Sequence, residues 1–152
     1  MMTPFKKTVF ALLTIVFAGL AHAGDFLTDF ETAKKQAAEE NKPLLVKFTG
    51  SDWCPPCMKL AREVFSKKAF KSAVEKDFVV VIIDFPRKKE LPPEQTKANR
   101  EVAKKYGLVS YPTVMLIDQK GKVFKSMSGY NGGGLKPYLK VLKDSLRARK
   151  FQ

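Results

Sequence analysis

Blocks of apolar and polar residues along the chain predict alternating helices and strands. Residues 44–49 and 78–84 are short runs rich in Val, Ile, Leu and Phe, as expected of strands buried on both faces of a sheet. A Gln-Lys-Gly turn separates two further strand-like runs, residues 113–118 and 123–127, which predicts an antiparallel hairpin. The other blocks have helical periodicity. The predicted order is helix, strand, helix, strand, helix, strand, strand, helix, with the first strand central in the sheet.

Several residues mark the predicted helix ends. Thr28 followed by Glu31 is typical of a capping box, and the Asn-Lys-Pro of residues 41–43 ends the first helix. Ser66 is predicted to cap a second segment after the cysteine helix, and Gly107 to end the third helix. The predicted buried helix faces carry Phe30, Ala33, Ala37, Phe70, Val74, Ala98, Val102, Tyr106, Leu135, Leu139, Leu142 and Leu146.

The amino-terminal residues have the pattern of an export signal. A basic start (residues 6–7) precedes an apolar run (8–20) and the small-residue site Ala-His-Ala, which predicts cleavage between Ala23 and Gly24. The alternative is an uncleaved membrane anchor, but the apolar run is shorter than the roughly 20 residues needed to cross a bilayer. We therefore expect a periplasmic or secreted protein.

Residues 1–23 are thus set apart as a signal peptide, and residues 24–152 are enough for one domain with its own core. The chain is basic, with 28 Lys and Arg against 15 Asp and Glu. The positive charges are scattered, and no basic motif with base-stacking residues accompanies them. We interpret these charges as lying on solvated helix faces and expect no nucleic acid partner. We also expect the protein to be a monomer.

A charged, proline-rich segment, residues 85–93, follows the second predicted strand. We interpret it as an inserted surface connection. The alternative is a loop that docks a partner protein.

The candidate chemistry lies in residues 53–57 (WCPPC), which contain both cysteines of the chain. Thiols at positions i and i+3 of a first helical turn face the same way, so Cys54 and Cys57 can interconvert between a dithiol and a disulfide. Such a short loop gives little stabilisation, which argues against a purely structural bond. A helix starting at about Cys54 would place its sulfur over unsatisfied N–H groups that favour the thiolate. We predict Cys54 as an accessible nucleophile and Cys57 as the resolving thiol.

Other kinds of site are excluded or disfavoured. The only histidine, His22, lies in the predicted signal peptide, which excludes imidazole catalysis in the mature protein. Two cysteines cannot supply the four ligands of a structural zinc site. We expect no cofactor and no resident metal, although Cu(I) held by Cys54 and Cys57 remains an alternative because thiolates suit that ion.

The element order, together with residues 53–57 and 106–113 (YGLVSYPT), resembles the thioredoxin family over nearly the whole mature chain. Residues 50–53 and 63–66 are most similar to exported thioredoxin-like domains such as the carboxyl-terminal domain of the disulfide interchange reductase. The Pro-Pro dipeptide is similar to that of tryparedoxin and nucleoredoxin. The resemblance implies an α/β thioredoxin fold, with a central mixed sheet flanked by helices.

The resemblance also implies roles for residues outside the cysteine pair. Pro112 matches the family's cis-proline, which implies a cis Tyr111–Pro112 bond and a Tyr111 backbone available to a substrate strand. Trp53 matches the tryptophan that flanks the nucleophile. Where the family has a buried acid on the first core strand, this chain has Lys47. Lys47 either points at Cys57 and modulates its proton transfer, or lies at a sheet margin and reaches solvent.

The two prolines between the cysteines offer neither a side-chain charge nor an N–H group, so the thiolate gains less stabilisation than in a strong oxidant. We therefore predict a reductase of disulfides in exported proteins, supplied with electrons by a membrane thiol carrier. The alternatives are an oxidase or isomerase with the same residues, a Cu(I)-binding chaperone, and a redox-inert adaptor.

Overall fold

The computed structural model describes residues 26–149, whose strands form one four-stranded sheet. The strands are β1 (Leu44–Thr49), β2 (Val79–Asp84), β3 (Thr113–Ile117) and β4 (Val123–Ser128). Their order is β2-β1-β3-β4, with β1 parallel to β2 and antiparallel to β3, and with β3 antiparallel to β4. The predicted mixed sheet, central first strand and antiparallel hairpin are confirmed. The predicted signal peptide and its cleavage site lie outside the described residues.

Helices cover both faces of this sheet. They are α1 (Phe30–Glu39), α2 (Pro55–Leu60), α3 (Lys68–Val74), α4 (Pro93–Lys105) and α5 (Leu135–Arg149), and α2 continues directly into a π-helical turn, Ala61–Phe65. No helix within residues 26–149 has the length and apolar character needed to span a membrane.

The core has two layers because side chains alternate between the faces of each strand. Val46 and Phe48 of β1 belong to the layer that contains α1 and α4, whereas Leu45 belongs to the layer that contains α2, α3 and α5. All six residues of β1 are buried. The predicted apolar helix faces contribute to these two layers, with Phe30, Ala33, Ala37, Phe70, Val74, Val102 and Leu142 buried.

Two predicted helix caps are wrong. Asp29, not Thr28, caps α1, and its carboxylate accepts the backbone N–H of Thr32 at 2.7 Å. The helix starts one residue later than predicted, which puts the Asp29 oxygen within reach of the third helical N–H. Ser66 does not cap α3, because its hydroxyl donates to the carbonyl of Arg62 at 3.2 Å and so closes the preceding π-helical turn.

The parallel pairing of β1 and β2 brings the segments that follow them to one edge of the sheet. Residues 50–54 leave β1 and enter α2, and residues 85–92 leave β2 and enter α4. Sites in α/β proteins usually form at this carboxyl edge.

Candidate active site

The two cysteines lie where β1 gives way to α2, and they form a disulfide with a Cα–Cα distance of 5.2 Å. Cys54 is the N-cap residue of α2, and Pro55 and Pro56 occupy the first turn, where a missing N–H costs nothing. The predicted helix start is therefore confirmed. Within residues 26–149, no group of three or more His, Cys, Asp or Glu side chains is placed to hold a metal ion.

Cys54 is less accessible than expected. Only 4% of the surface of Cys54 and 1% of the surface of Cys57 are exposed. The sulfur of Cys54 is bonded to that of Cys57, which lies in the first turn of α2. The prediction of an open sulfur is wrong for this oxidised state. The backbone N–H of Gly50 donates to the sulfur of Cys57 at 3.5 Å, an interaction that the sequence did not indicate.

Trp53 belongs to a group of three aromatic rings at the start of α2. Its indole N–H donates to the carbonyl of Phe85 at 2.8 Å, and its ring meets that of Tyr111 edge-on, with the ring centres 5.7 Å apart. The rings of Phe85 and Tyr111 are 5.4 Å apart. A Cβ atom at Gly50 would overlap the Trp53 indole, so the ring position requires a glycine there.

The loop after β2 is bound to the segment before the cysteines. The carboxylate of Asp52 accepts the backbone N–H groups of Arg87, Lys88 and Lys89 at 2.9, 2.8 and 3.0 Å. These hydrogen bonds hold the pKa of Asp52 below its ordinary value, and the one from the backbone N–H of Arg87 has the largest effect. The loop does lie at the surface, as predicted, but it also forms one wall of the site.

Asp84 makes a second connection between the same two segments. Its carboxylate accepts the backbone N–H of Ser51 at 2.9 Å and the Ser51 hydroxyl at 2.6 Å, and it pairs with the ammonium of Lys89 at 2.9 Å. Sequence reasoning missed Asp52 and Asp84, because each acts over more than 30 positions of sequence. The only available signal was that an acidic residue ends one strand and another immediately precedes Trp53.

The Tyr111–Pro112 bond that precedes β3 is cis. Pro112 is buried, and its carbonyl accepts the backbone N–H of Gly129 at 2.8 Å. Burial raises the pKa of Tyr111, so its phenol is neutral at physiological pH. Within the described part of the chain, neither the N–H nor the carbonyl of Tyr111 takes part in a hydrogen bond.

Lys47 is buried in the middle of the sheet, with 4% of its surface exposed. It lies opposite Ile82 of β2 and Val114 of β3, so the alternative of a sheet-margin lysine reaching solvent is wrong. The reason is that β3 pairs with β1 and makes β1 an interior strand. Burial lowers the pKa of Lys47 to about 8, and the nearby charge of Asp84 opposes that shift.

The Lys47 ammonium lies 4.5 Å from the centre of the Phe65 ring. No hydrogen bond joins it to either sulfur among residues 26–149. A role for Lys47 in proton transfer at Cys57 therefore has no direct contact to support it.

Comparisons with known proteins agree with this architecture. The model of the thioredoxin-like domain family matches residues 30–143. The disulfide bond reductase DsbH of Chlamydia pneumoniae is 32% identical over 120 residues, which cover 79% of this chain and 72% of that protein.

Solved structures show the same likeness. The structure of a DsbH oxidoreductase has a TM-score of 0.75 at 26% identity and covers 97% of this chain and 95% of its own. The oxidised carboxyl-terminal domain of Neisseria meningitidis DsbD has a TM-score of 0.57 at 19% identity. The match covers 79% of this chain and 98% of that domain, which shows a shared fold. The implied thioredoxin fold is confirmed. The chain therefore belongs to the thioredoxin-like family, and with its Cys54–Cys57 disulfide it is a protein thiol–disulfide oxidoreductase.

Proposed function

We propose that this protein is an exported reductase of protein disulfides that acts through Cys54 and Cys57. The observation that carries the proposal is the position of Cys54, at the N-cap of α2 and bonded to a cysteine one turn further along. A relative named a disulfide bond reductase supports the reducing direction. Export rests on the signal-peptide pattern of residues 1–23, with cleavage between Ala23 and Gly24.

In the proposed reaction, the Cys54 thiolate of the reduced protein attacks one sulfur of a substrate disulfide. A Cys54–substrate disulfide forms, and the second substrate sulfur leaves as a thiolate that takes up a proton. The Cys57 thiolate then attacks the Cys54 sulfur, and the remaining substrate sulfur leaves. The substrate gains two electrons and two protons, and the protein ends with the Cys54–Cys57 disulfide.

The local structure supports this division of roles. Residues 55–65 form one continuous helical segment, and Cys54 lies at its amino-terminal end, where free N–H groups stabilise an anion. The N–H of Gly50 points at Cys57 and favours a thiolate there in the second step.

We propose that the substrate chain docks against Trp53, Tyr111 and Pro112. The N–H and carbonyl of Tyr111 lack hydrogen-bond partners in the described structure, so an extended substrate segment can pair with them. A recess of about 280 Å³ lined by Trp53, Phe85, Arg87 and Tyr111 lies beside them and has room for a substrate side chain.

Repeated turnover needs a donor that reduces the disulfide again. We propose a membrane-bound thiol carrier in that role and disulfide-containing exported proteins as substrates. The protein acts as a monomer in this proposal.

Reduction of insulin by the purified protein with dithiothreitol tests the activity. We expect turnover that Cys54→Ser abolishes, and a glutathione-equilibrated potential more negative than about −180 mV. A potential near the value of about −120 mV typical of the strong periplasmic oxidants contradicts the reducing direction. Absence of insulin reduction together with tight Cu(I) binding favours a copper chaperone instead.

A further inference from the structure

The hydroxyl of Tyr130 is hydrogen-bonded to the helix that carries the cysteines. Tyr130 lies between β4 and α5, and its hydroxyl donates to the carboxylate of Glu63 at 2.8 Å. The same hydroxyl accepts the backbone N–H of Gly134 at 3.0 Å, so it acts as donor and acceptor at once. Glu63 lies in the π-helical turn that continues α2, the helix that begins after Cys54. The segment after β4 is therefore attached to the cysteine helix.

The residue before Tyr130 is attached to the other side of the site. The backbone N–H of Gly129 donates to the carbonyl of Pro112 at 2.8 Å. Ser128 pairs with Thr113 in the ladder between β3 and β4, which fixes the position of Gly129 relative to Pro112. Gly129 and Tyr130 thus link the Pro112 segment to the cysteine helix, and we call these two residues the 129–130 link.

The Tyr130 hydroxyl remains a donor at physiological pH. Burial and the hydrogen bond to Glu63 raise the pKa of Tyr130, so the phenol keeps its proton. A hydrogen bond to a charged acceptor is stronger than one between neutral groups. The edge-on contact of the Trp53 and Tyr111 rings also joins the two sides of the site, but no hydrogen bond between the rings fixes their separation.

The 129–130 link joins the two parts that the proposed reaction must bring together. In that reaction Cys54 attacks a disulfide in a substrate chain docked on the segment before β3. Residues 55–65 form one continuous helical segment, so a restraint at Glu63 acts on the whole segment. A displacement of about 1 Å between reacting groups can cost about a hundredfold in rate. We propose that Tyr130 is a positioning residue that holds the cysteine helix at the distance from Pro112 that disulfide exchange requires. This inference rests on the proposed function.

Rates of mixed-disulfide formation by the reduced protein test this role with two kinds of disulfide. A disulfide peptide can pair with the Tyr111 backbone, whereas hydroxyethyl disulfide has no peptide chain to do so. We expect Tyr130→Phe, which removes only the hydroxyl, to react at least about fivefold more slowly with the peptide, the loss that corresponds to a hydrogen bond of about 1 kcal/mol. Its rate with hydroxyethyl disulfide is expected to equal that of the wild type, because Cys54 itself is unchanged.

The matched control is Tyr106→Phe. The Tyr106 ring packs edge-on against Phe30 in the other core layer, and its hydroxyl makes no hydrogen bond in the described part of the chain. We expect this variant to react with both disulfides at the wild-type rates.

Variants of Glu63 give a second measurement and keep the inference testable should Tyr130→Phe fail to fold. Glu63→Gln retains an acceptor for the phenol and is expected to keep most of the peptide rate, whereas Glu63→Ala is expected to lose as much as Tyr130→Phe. Combining Glu63→Ala with Tyr130→Phe should add no further loss, because the two residues share one hydrogen bond. A role in stability alone would change neither rate in the folded protein.

Three results overturn the inference. They are a wild-type peptide rate in Tyr130→Phe or Glu63→Ala, equal losses with the peptide and with hydroxyethyl disulfide, and additive losses in the double variant. A wild type that does not reduce insulin overturns the reductase and this inference together. Intact insulin reduction by the wild type, with an unchanged peptide rate in Tyr130→Phe, overturns this inference alone.

Discussion

The guanidinium of Arg87 lies over the indole of Trp53, 3.8 Å from the ring centre. This contact places a cation from the loop after β2 beside the residue that precedes Cys54. Cation–π contacts at exposed sites contribute about 0.5–1 kcal/mol, so the pair also helps to hold the Trp53 ring in place. A substrate that docks on Trp53, as proposed above, would therefore meet this basic loop as well.

Arg87→Gln is expected to weaken the reaction with acidic substrates selectively. A single exposed charge pair contributes about 0.2–1 kcal/mol, so kcat/KM for a disulfide peptide with flanking Glu residues should fall about 1.4- to 5-fold. A matched peptide with Gln in place of Glu should change less, and added salt should reduce the difference. Arg147→Gln on α5 is the control. An equal decrease for both peptides would show that Arg87 acts only through the position of Trp53.

Asp52→Asn is expected to release the loop after β2. The carboxylate accepts three backbone N–H groups, and an amide oxygen accepts them less strongly. Amide hydrogen exchange at Arg87, Lys88 and Lys89 should become faster in the variant, while Asp77→Asn, an exposed site, should leave it unchanged.

The same attachment should depend on pH in the wild type. The pKa of Asp52 in the folded protein is lower than its ordinary value. The hydrogen bonds between its carboxylate and residues 87–89 are therefore fully formed above the ordinary carboxyl pKa, and they are lost as the pH falls through the lower pKa of the folded protein. Slow exchange that persists in Asp52→Asn would contradict the role given to this carboxylate.

Lys47→Met is expected to stabilise the protein near neutral pH. Burial lowers the pKa of Lys47 from 10.5 to about 8, so between these values the unfolded chain binds a proton that the folded protein has released. The free energy of unfolding of the wild type should therefore rise between pH 8 and 10.5, by at most about 3 kcal/mol.

Below pH 8 the full cost of the buried charge is present, and Lys47→Met removes it. Urea unfolding should show the variant more stable than the wild type at pH 7, with an advantage that shrinks as the pH approaches 10.5. Lys76→Met serves as the control. Parallel pH profiles for Lys47→Met and the wild type would show that the ammonium is not held in the buried position described here.

Gly50→Ala is expected to displace Trp53. The added Cβ overlaps the indole, so the ring must leave its hydrogen bond with the Phe85 carbonyl. Trp53 is the only tryptophan in the chain, so its fluorescence emission reports the change directly, and we expect a shift to longer wavelength with lower insulin reduction. Unchanged emission and activity would mean that the ring position does not matter for turnover. Ser72→Ala, at an exposed position on α3, should alter neither.

The parts of the fold that the sequence predicts well are those with local signals. The apolar runs of β1 and β2 and the two prolines after Cys54 each lie within a few residues of the feature they determine. The predicted N-cap of α1 is wrong by one position, because Thr28 and Asp29 both have side chains that can cap a helix.

The contacts that the sequence does not predict are long-range. The carboxylate of Asp52 accepts hydrogen bonds from the backbone N–H groups of residues 87–89, and backbone donors leave no trace in side-chain periodicity. The position of Lys47 remained open for a similar reason. It depends on which strand pairs with β1 on its second side, and only the tertiary structure shows that this strand is β3.

The division of roles between the two cysteines is tested most directly by mixed-disulfide formation in single-cysteine variants. Reduced Cys57→Ala and Cys54→Ala are mixed with a disulfide peptide, and intact mass spectrometry follows the adduct over time. The N-cap position of Cys54 predicts that Cys57→Ala, which retains Cys54, forms the adduct at least about tenfold faster than Cys54→Ala. Equal rates, or a faster reaction of Cys54→Ala, would contradict the assignment of Cys54 as the nucleophile.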